Sequence, residues 1–382
     1  MTAAKKILII AGEASGDLHG ANLVKELKGL DPSLEIFGVG SKRMREAGVE
    51  LLADAAEISV VGATEVLTHL GAIWRVYDRL KRFIRTERPD LLILIDFPDF
   101  NILVGKVAKK LGIPVLYYIS PQVWAWRKGR IKTLAKLVKA MMVLFPFEVD
   151  LYRRAGVDVR FVGHPLVDAV DSRFTCTEAR MHFRIDQEQM TVALLPGSRT
   201  KEITSLLPDM LVAAGILKDR FPRIQFLLPV APTLEMSFVK GFVDRSGLSV
   251  TVVNGAQYDV LRASDAAIVA SGTATLETGL MAVPMVIVYR ISKLSYFIGK
   301  MIVDVKNIGL VNIVAGKTVV PELVQDQVSP EAIAAAIGDM LADPQRHAAV
   351  KSELEQVRIL LGERGATGKA AAVVREFLHA GS

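Results

Sequence analysis

Short runs of apolar, mostly β-branched residues alternate with longer amphipathic stretches along this chain. Such runs, with little internal alternation, are typical of parallel strands covered on both faces, and the helical stretches between them indicate βαβ units. The predicted strands of the first half are Lys6–Ala11, Ile36–Val39, Leu91–Asp96, Val115–Ile119, Met141–Phe145 and Arg160–Val162. The pattern restarts near residue 165, with predicted strands Thr191–Leu195, Ile224–Pro229, Val250–Val253, Ala267–Ala270 and Met285–Tyr289.

The restart indicates two domains, because a single core would be unusually large for 382 residues. A polar stretch, Asp168–Gln189, is predicted to be a linker. Further on, Ser329 is a predicted N-cap, with helices from Pro330, over Pro344–Leu361 and over Ala366–Leu378. We therefore predict an α/β fold of two doubly wound, Rossmann-like domains facing a cleft, with C-terminal helices. The predicted domains are residues 1–166 and 167–344, with a last helical segment, about 345–382, that can pack back onto the first domain.

Composition excludes several classes of protein. One cysteine, Cys176, rules out a disulfide framework and any multi-cysteine metal site. The longest uncharged run, Leu111–Trp126, contains two prolines and is too short to cross a bilayer. The apolar N-terminal stretch leads into a glycine-containing acidic loop, unlike a signal peptide. We expect a soluble or peripheral, cytoplasmic protein.

Positive charge is concentrated in the first half of the chain. Residues 1–165 contain 25 Lys and Arg against 18 Asp and Glu, whereas the remainder contains 22 against 23. The excess lies in Arg75–Arg88, where aromatic residues are interleaved, and in Arg127–Lys139, which has no acid. Such clusters suit an anionic membrane surface or an acidic ligand, although a solvated helix face would look the same. No nucleic-acid-binding motif accompanies the charge, so we expect no nucleic-acid partner. The predicted membrane contacts are Arg127, Lys128 and Arg130.

One predicted strand ends in a carboxylate. Asp96 follows a fully apolar run, and a carboxylate at the tip of a buried strand needs a partner or a purpose. It could accept a proton from an attacking hydroxyl as a general base. Asp99 has a simpler explanation as the N-cap of the next helix.

The loop after the first strand, GEASGDLHG, contains two glycines that permit close backbone approach. It lacks the spacing of a dinucleotide fingerprint. Ser15 or Asp17 could simply cap the following helix, whereas Glu13 and His19 could contact a substrate hydroxyl.

Two loops of the second half suit a phosphorylated ligand. Arg199 follows a Pro-Gly-Ser turn, where an Arg can bind phosphate or simply lie on the surface. Ser271, Gly272 and Thr273 open a helix after an apolar strand, which suits a diphosphate or an ordinary N-cap. Glu277, one turn further on, could accept hydrogen bonds from ribose hydroxyls.

Several motifs are absent from the sequence. It has no Asp-x-Asp pair, no Walker A loop, no G-x-S-x-G elbow and no histidine pair with zinc-ligand spacing. We therefore expect neither a metal nor a cofactor, and disfavour ATP hydrolysis and serine-hydrolase chemistry.

Together these loops resemble the lipid-A-disaccharide synthases, inverting glycosyltransferases of the two-Rossmann-domain GT-B class. The resemblance runs from Ile7 to about Gln325. It is carried by the stretches GEASGDLHG, IDFPDFN, YYISPQVWAWRKGRIK, FVGHPLVD, LLPGSR, SGTATLE and LVNIVAGKTVVPELVQ.

The resemblance implies that UDP-2,3-diacylglucosamine donates its sugar to 2,3-diacylglucosamine 1-phosphate without a metal. The products are a β-1,6-linked disaccharide 1-phosphate and UDP. It implies that Asp96 is the base and that Glu13, Ser15 and Asp17 lie on the acceptor side; we place His19, from the same loop, with them. It places Arg199, Glu277, Asn312 and Gln325 in the UDP site, to which the loop chemistry adds Ser271, Gly272 and Thr273. For Asn312 and Gln325 the resemblance is the only argument.

The resemblance also implies a peripheral enzyme on the inner face of the cytoplasmic membrane, with a homodimer left open. Leu70–Ile73, with Trp74 and Tyr77, could receive acyl chains or pack in the core. The alternatives are a UDP-sugar epimerase, a GT-B transferase with another lipid acceptor, a non-enzymatic sugar-binding protein and, more weakly, a Rossmann oxidoreductase.

Overall fold

The computed structural model describes residues 4–58, 66–123, 129–292 and 306–379. The chain forms two compact units: Met1–Pro165 combines with Gly362–Ser382, and Leu166–Leu361 forms the second. Each unit is built on one parallel sheet with helices between successive strands. The predicted α/β architecture of two doubly wound domains with C-terminal helices is confirmed.

The first unit contains a sheet of order β3-β2-β1-β4-β5-β6-β7, in which every pairing is parallel. Its strands are β1 (Lys6–Ala11), β2 (Glu35–Gly40), β3 (Glu50–Asp54), β4 (Leu91–Ile95), β5 (Val115–Tyr118), β6 (Ala140–Val143) and β7 (Asp158–Phe161). The helices between them are α1 (Ala14–Leu30), α2 (Lys42–Glu46), α3 (Val66–Glu87), α4 (Pro98–Lys110), α5 (Arg130–Leu137) and α6 (Pro146–Arg153), with a 3₁₀ turn at Ala55–Glu57. The central strands β1 and β4 are almost wholly buried, as their unbroken apolar sequences predict.

The second unit contains a parallel sheet of order β10-β9-β8-β11-β12-β13. Its strands are β8 (Thr191–Leu195), β9 (Gln225–Val230), β10 (Thr251–Asn254), β11 (Ala266–Ala270), β12 (Met285–Tyr289) and β13 (Glu322–Val324). Its described helices are α7 (Leu166–Ala169), α8 (Cys176–His182), α9 (Thr200–Arg220), α10 (Met236–Ser246), α11 (Gln257–Ala263), α12 (Thr273–Leu280), α13 (Leu310–Ala315), α14 (Pro330–Ala342) and α15 (Pro344–Leu360), with a 3₁₀ turn at Gln325–Gln327.

The C-terminal helices divide between the two units. Helix α14 starts as predicted, because the Ser329 hydroxyl accepts from the Ala332 amide and Pro330 follows it. Helix α15 stays in the second unit, packed on α12 and α13 through buried Leu354 and Val357. Helix α16 (Ala366–His379) packs instead on α1 of the first unit. The return to the first unit therefore starts at Gly362 rather than near residue 345.

The sequence pattern missed two strands and predicted a linker where the structure contains a helix. Strands β3 and β13 are short edge strands with half-buried residues, so they lack the continuous apolar run that marks a central strand. The predicted linker Asp168–Gln189 was wrong in part, because it contains α8. That helix starts with a capping box between Thr175 and Glu178 and is anchored by buried Arg180, which bonds Asp265 at 2.7 Å.

Helix α3 contains Leu70–Ile73, Trp74 and Tyr77, which the sequence assigned either to acyl-chain binding or to the core. Its buried face, which includes Val76 and Leu80, packs in the core, and Ile73 and Tyr77 lie half-buried against it. Leu70 and Trp74 are instead 41% and 56% exposed. No helix in the described ranges is long and apolar enough to cross a membrane.

Candidate active site

The strand order reverses between β1 and β4 in the first sheet and between β8 and β11 in the second. The predicted site loops lie at these reversals. In the first sheet Ala11 is the register partner of Ile95, so the loops after β1 and β4 leave side by side. In the second sheet Leu195 is opposite Val269, which places the loops after β8 and β11 together in the same way. Open α/β sheets bind their ligands at the carboxyl ends of strands where the order reverses.

Asp96 lies at the reversal of the first sheet, half-buried. Burial raises the pKa of its carboxyl group to about 6, and the negative charge of Glu13 adds to this, while a hydrogen bond from the Phe97 amide opposes it. The group borders a small cavity of about 210 Å³. The cavity is lined by Glu13, Asp96, Pro98, Pro121, Gln122, Val123 and Arg130. Above about pH 6 this side chain is a carboxylate of raised basicity, as a general base requires.

The loop from β1 is shaped around the loop from β4. A Cβ atom on Gly12 would lie 2.4 Å from Cδ1 of Phe97, so only glycine fits beneath that ring. The sequence suggested that Gly12 lets the backbone approach a ligand; in the structure it makes room for the residue after Asp96.

Asp99 and Arg130 have different positions from those predicted. The N-cap of α4 is Phe97, and Asp99 lies in the first turn, where a negative charge is favourable. Its carboxylate pairs with Arg130, whose side chain is only 19% exposed and lines the Asp96 cavity. The assignment of Arg130 to a membrane surface does not fit this position. The other two predicted membrane contacts, Arg127 and Lys128, lie outside the described residues.

The four predicted acceptor-side residues separate into different roles. Glu13 and Ser15 are exposed, and Glu13 lies at the N-cap of α1 without a side-chain capping bond. Asp17 is buried, and its carboxylate accepts from the backbone amides of Ser41, Arg43 and Met44. Asp17 therefore anchors the start of α2; it neither caps α1 nor presents a free carboxylate.

His19 is half-buried close to a second imidazole. Burial lowers its pKa. Burial, together with the charge of His19, lowers the pKa of His164 to about 3. Both rings are therefore neutral at neutral pH, where they can take part in hydrogen bonds but carry no charge.

The reversal of the second sheet opens into a cavity of about 830 Å³. Five of the seven predicted UDP-site residues line it: Arg199, Ser271, Gly272, Thr273 and Glu277. The N-termini of α9 and α12 both border the cavity, at Arg199 and Gly272 respectively. Helix N-termini carry partial positive charge and free amides, which suit a phosphate.

Two glycines shape this cavity. Gly197 has φ +114°, and a Cβ there would lie 2.2 Å from Oε2 of Glu202, which accepts from the Ser198 and Arg199 amides. Gly272 has φ +154° with ψ −160°, a conformation that side chains rarely adopt. The turn before each helix thus requires glycine.

Glu277 is held in place by two residues that sequence reasoning missed. Gln257 donates to one carboxylate oxygen at 2.9 Å, and the Tyr258 hydroxyl donates to the other at 2.8 Å. Both line the same cavity, as do Asn254 and Arg173. The only sequence signal for Gln257 and Tyr258 is their position after β10, whose carboxyl end lies at the same edge of the sheet.

Asn312 and Gln325 do not line this cavity. The amide of Asn312, fully buried, donates to the Val320 carbonyl and Glu322, while its oxygen accepts from the Val319 and Val320 amides. Gln325 exchanges two bonds with the backbone of Ile291. Each side chain holds the backbone near β12 and β13, and Asn312 has no bonding capacity left for a nucleotide.

Across the described ranges, no group of three or more His, Cys, Asp or Glu side chains could hold a metal ion.

The fold is shared with several solved structures. MurG of Acinetobacter baumannii superposes with a TM-score of 0.62 at 14% identity, covering 97% of this chain and 99% of that one. A UDP-GlcNAc 2-epimerase of Neisseria meningitidis, bound to UDP-GlcNAc, gives 0.59 at 11% identity, covering 98% and 100%. The two doubly wound sheets therefore define the GT-B class of fold.

Sequence comparison identifies the family within that class. Residues 7–377 match the family Lipid-A-disaccharide synthetase. A lipid-A-disaccharide synthase of Geobacter metallireducens is 52% identical over 374 residues, covering 98% of this chain and 97% of that protein. The chain belongs to this family, and it is a GT-B glycosyltransferase of lipid A disaccharide synthesis, as the sequence motifs indicated. The epimerase alternative is not favoured, because the epimerase is alike in fold alone.

Proposed function

We propose that this enzyme transfers 2,3-diacylglucosamine from UDP to the 6-hydroxyl of 2,3-diacylglucosamine 1-phosphate, with Asp96 as general base. The observation that carries the assignment is the position of Asp96: a half-buried carboxyl group of raised pKa, bordering a cavity where the strand order reverses. Residues 1–166 would bind the acceptor, and residues 167–344 would bind the donor.

In the proposed reaction Asp96 takes the proton of the acceptor 6-hydroxyl as that oxygen attacks the anomeric carbon. The new carbon–oxygen bond forms as the bond to the β-phosphate breaks, and the bonding electrons leave with UDP. A single displacement of this kind inverts the anomeric configuration, so an α-linked donor gives a β-1,6-linked product. The Asp96 proton is then released to solvent.

The leaving UDP would be stabilised by the second unit. Arg199 and the N-termini of α9 and α12 supply positive charge on one cavity, and α12 adds amide donors, which suits a diphosphate without a metal. Ser271 and Thr273 add hydroxyl donors beside them. Glu277, with its carboxylate held by Gln257 and Tyr258, would accept from the ribose hydroxyls. The cavity volume is within the range of small-molecule sites.

On the acceptor side we assign direct roles to Glu13, Ser15 and His19, and an indirect one to Asp17. Glu13 borders the same cavity as Asp96, and Ser15 is exposed two residues further on, in the first turn of α1. Neutral His19 could bond a sugar hydroxyl. Asp17 would act through α2, since its carboxylate already accepts three backbone amides.

We also propose peripheral binding to an anionic membrane on the cytoplasmic side. Helix α3 exposes Leu70 and Trp74 beside exposed arginines. A groove between α4 and α5 is lined by four lysines, one threonine and one leucine, with no acid among them: Lys106, Lys109, Lys132, Thr133, Lys136 and Leu137. Each basic residue near an anionic surface contributes about 1 kcal/mol.

Charge reversal tests the membrane proposal. We expect Arg127→Glu with Lys128→Glu to weaken sedimentation with anionic vesicles and leave UDP affinity unchanged. The matched control is Lys218→Glu with Lys240→Glu, two exposed lysines of the second unit. Equal loss of vesicle binding in both pairs, or equal effects on UDP and vesicles, would contradict the proposal. Sedimentation equilibrium of the purified protein without vesicles tests for a homodimer, which the sequence leaves open.

The reaction itself is tested by UDP release from UDP-2,3-diacylglucosamine in detergent micelles with EDTA. We expect release only when 2,3-diacylglucosamine 1-phosphate is present. Release without acceptor would indicate hydrolysis or epimerisation. No release by protein that still binds UDP would overturn the substrate assignment while leaving the fold class intact.

A further inference from the structure

The backbone at Asp96 adopts an unusual conformation. Asp96 has φ +43° and Phe97 has φ +45°, so two successive side-chain-bearing residues lie in the left-handed region. Each such residue costs roughly 1–2 kcal/mol relative to the right-handed conformation. A turn of this kind persists only when surrounding contacts hold it in place.

Two buried side chains hold this turn from different elements. The hydroxyl of Tyr117, on β5, donates to the carbonyl oxygen of Asp96. The amide nitrogen of Asn101, on α4, donates to the same oxygen at 2.7 Å and to the Ile95 carbonyl at 3.1 Å. A carbonyl oxygen has two lone pairs, so it can accept both donors at once. The peptide plane that follows Asp96 is therefore fixed from two sides.

The chemistry of both residues suits this purpose. Tyr117 and Asn101 are fully buried. Burial and the nearby Asp96 charge raise the pKa of Tyr117 well above its ordinary value, so its hydroxyl stays a donor. The Asn101 amide oxygen has no partner among the described residues, although such a buried acceptor costs roughly 1–3 kcal/mol. Asn101 thus donates two hydrogen bonds to the turn, while its own acceptor oxygen is unpaired among the described residues.

We propose that Tyr117 and Asn101 are positioning residues, which aim the Asp96 carboxylate by fixing its backbone carbonyl and do not themselves contact substrate. The inference rests on the proposed role of Asp96 as the base. With the peptide plane fixed, the Cα–Cβ bond of Asp96 has one direction, and the carboxylate stays at its cavity. Without the two donors the turn relaxes toward extended backbone, and the carboxylate moves toward water.

Tyr117→Phe tests the proposal because it removes only the hydroxyl. We expect kcat to fall about 10- to 100-fold, because small misplacements of a reacting group have effects of this order. KM for both substrates should change by less than about twofold, since uniform binding is not affected. The acid limb of the kcat profile should move below pH 6, because a better solvated carboxyl group has a lower pKa.

Tyr152→Phe is the matched control. It also removes a buried tyrosine hydroxyl in the first unit, one that is 2.7 Å from the Ser120 hydroxyl and makes no bond to Asp96. We expect lower stability with an unchanged kcat and acid limb. Asn101→Ala is the second positioning variant, with UDP affinity and melting temperature as measures of folding. It should lower kcat and move the limb in the same direction as Tyr117→Phe.

Measuring Asp96→Asn alongside separates the positioning role of Tyr117 and Asn101 from the role of Asp96 as the base. If Asp96→Asn loses turnover while Tyr117→Phe keeps wild-type kcat and acid limb, positioning is overturned and the base assignment stands. The same holds if Tyr117→Phe and Tyr152→Phe lower kcat equally without moving the limb, because that is a structural effect. If Asp96→Asn keeps wild-type turnover, both assignments are overturned.

Discussion

The reversals of the two sheets have the same topology but different chemistry. At the first, carboxylates from two neighbouring loops, Glu13 and Asp96, lie together, and the backbone is strained around Asp96. At the second, glycine turns lead into two helix N-termini beside Arg199. Topology therefore decides where a ligand can bind, whereas the residues of the loops decide whether the site removes a proton or stabilises an anion.

Among the substitutions that test this difference between the two sites, Asp96→Asn should have the largest effect. A general base contributes roughly 10²–10⁴ in rate, so kcat should fall by that factor while UDP affinity stays unchanged. The measurement is steady-state UDP release with equilibrium UDP binding on the same protein. A loss of only about tenfold would show that Asp96 is not the base.

Arg199→Ala, in the second site, should instead lower the affinity for UDP. We expect UDP to bind about 10- to 100-fold more weakly, since hydrogen bonds to charged groups are among the stronger ones. Isothermal titration with UDP checks this, and Arg223→Ala, an exposed arginine outside the cavity, is the control. Unchanged UDP affinity in Arg199→Ala would remove this side chain from the donor site.

The raised pKa of Asp96 has a consequence for stability. Because the carboxyl pKa is about 6 in the folded chain and ordinarily 3.8, the ionised group destabilises the fold above about pH 6, and this cost disappears as the pH falls toward 3.8. Asp96→Asn should therefore raise the free energy of unfolding by about 1–3 kcal/mol at pH 8, with little gain at pH 4. Urea unfolding at the two pH values measures this. An equal gain at both would mean that the carboxyl charge is not the cause.

Asn312 and Asn254 provide a matched pair within the second unit. Asn312→Ala removes a fully bonded buried amide and should lower the free energy of unfolding by roughly 1–3 kcal/mol, with UDP affinity unchanged in the folded protein. Asn254→Ala, at the cavity, should weaken UDP binding and leave the free energy of unfolding unchanged. A loss of UDP affinity in folded Asn312→Ala would return this residue to the donor site.

Glu13→Gln should have the smallest effect. It removes a charge that raises the Asp96 pKa, so the acid limb of kcat should move to lower pH by about half a unit. Glu26→Gln, on the exposed side of helix α1, whose N-cap is Glu13, should leave the acid limb unchanged. A shift upward in Glu13→Gln would contradict the electrostatic account of the first site.

The sequence predicted the central strands and the loops that follow them, because buried parallel strands have unbroken apolar runs. It did not predict the edge strands β3 and β13, which lack such runs. In the site, Asp96 was found because a carboxylate after a buried strand has no local explanation. Asp17, Asn312 and Gln325 were assigned to ligand sites by the resemblance, whereas their hydrogen-bond partners, mostly backbone groups that folding brings close, are not marked in the sequence. Tyr117 was missed for the same reason.

The most direct test of the central claim is the pH dependence of a single turnover in wild type and in Asp96→Asn. We expect the wild-type rate to fall about tenfold per pH unit below about pH 6, as protonation removes the base. The residual rate of Asp96→Asn should show no such limb. The same acid limb in both proteins would contradict the account, because some other group would then be the titrating base.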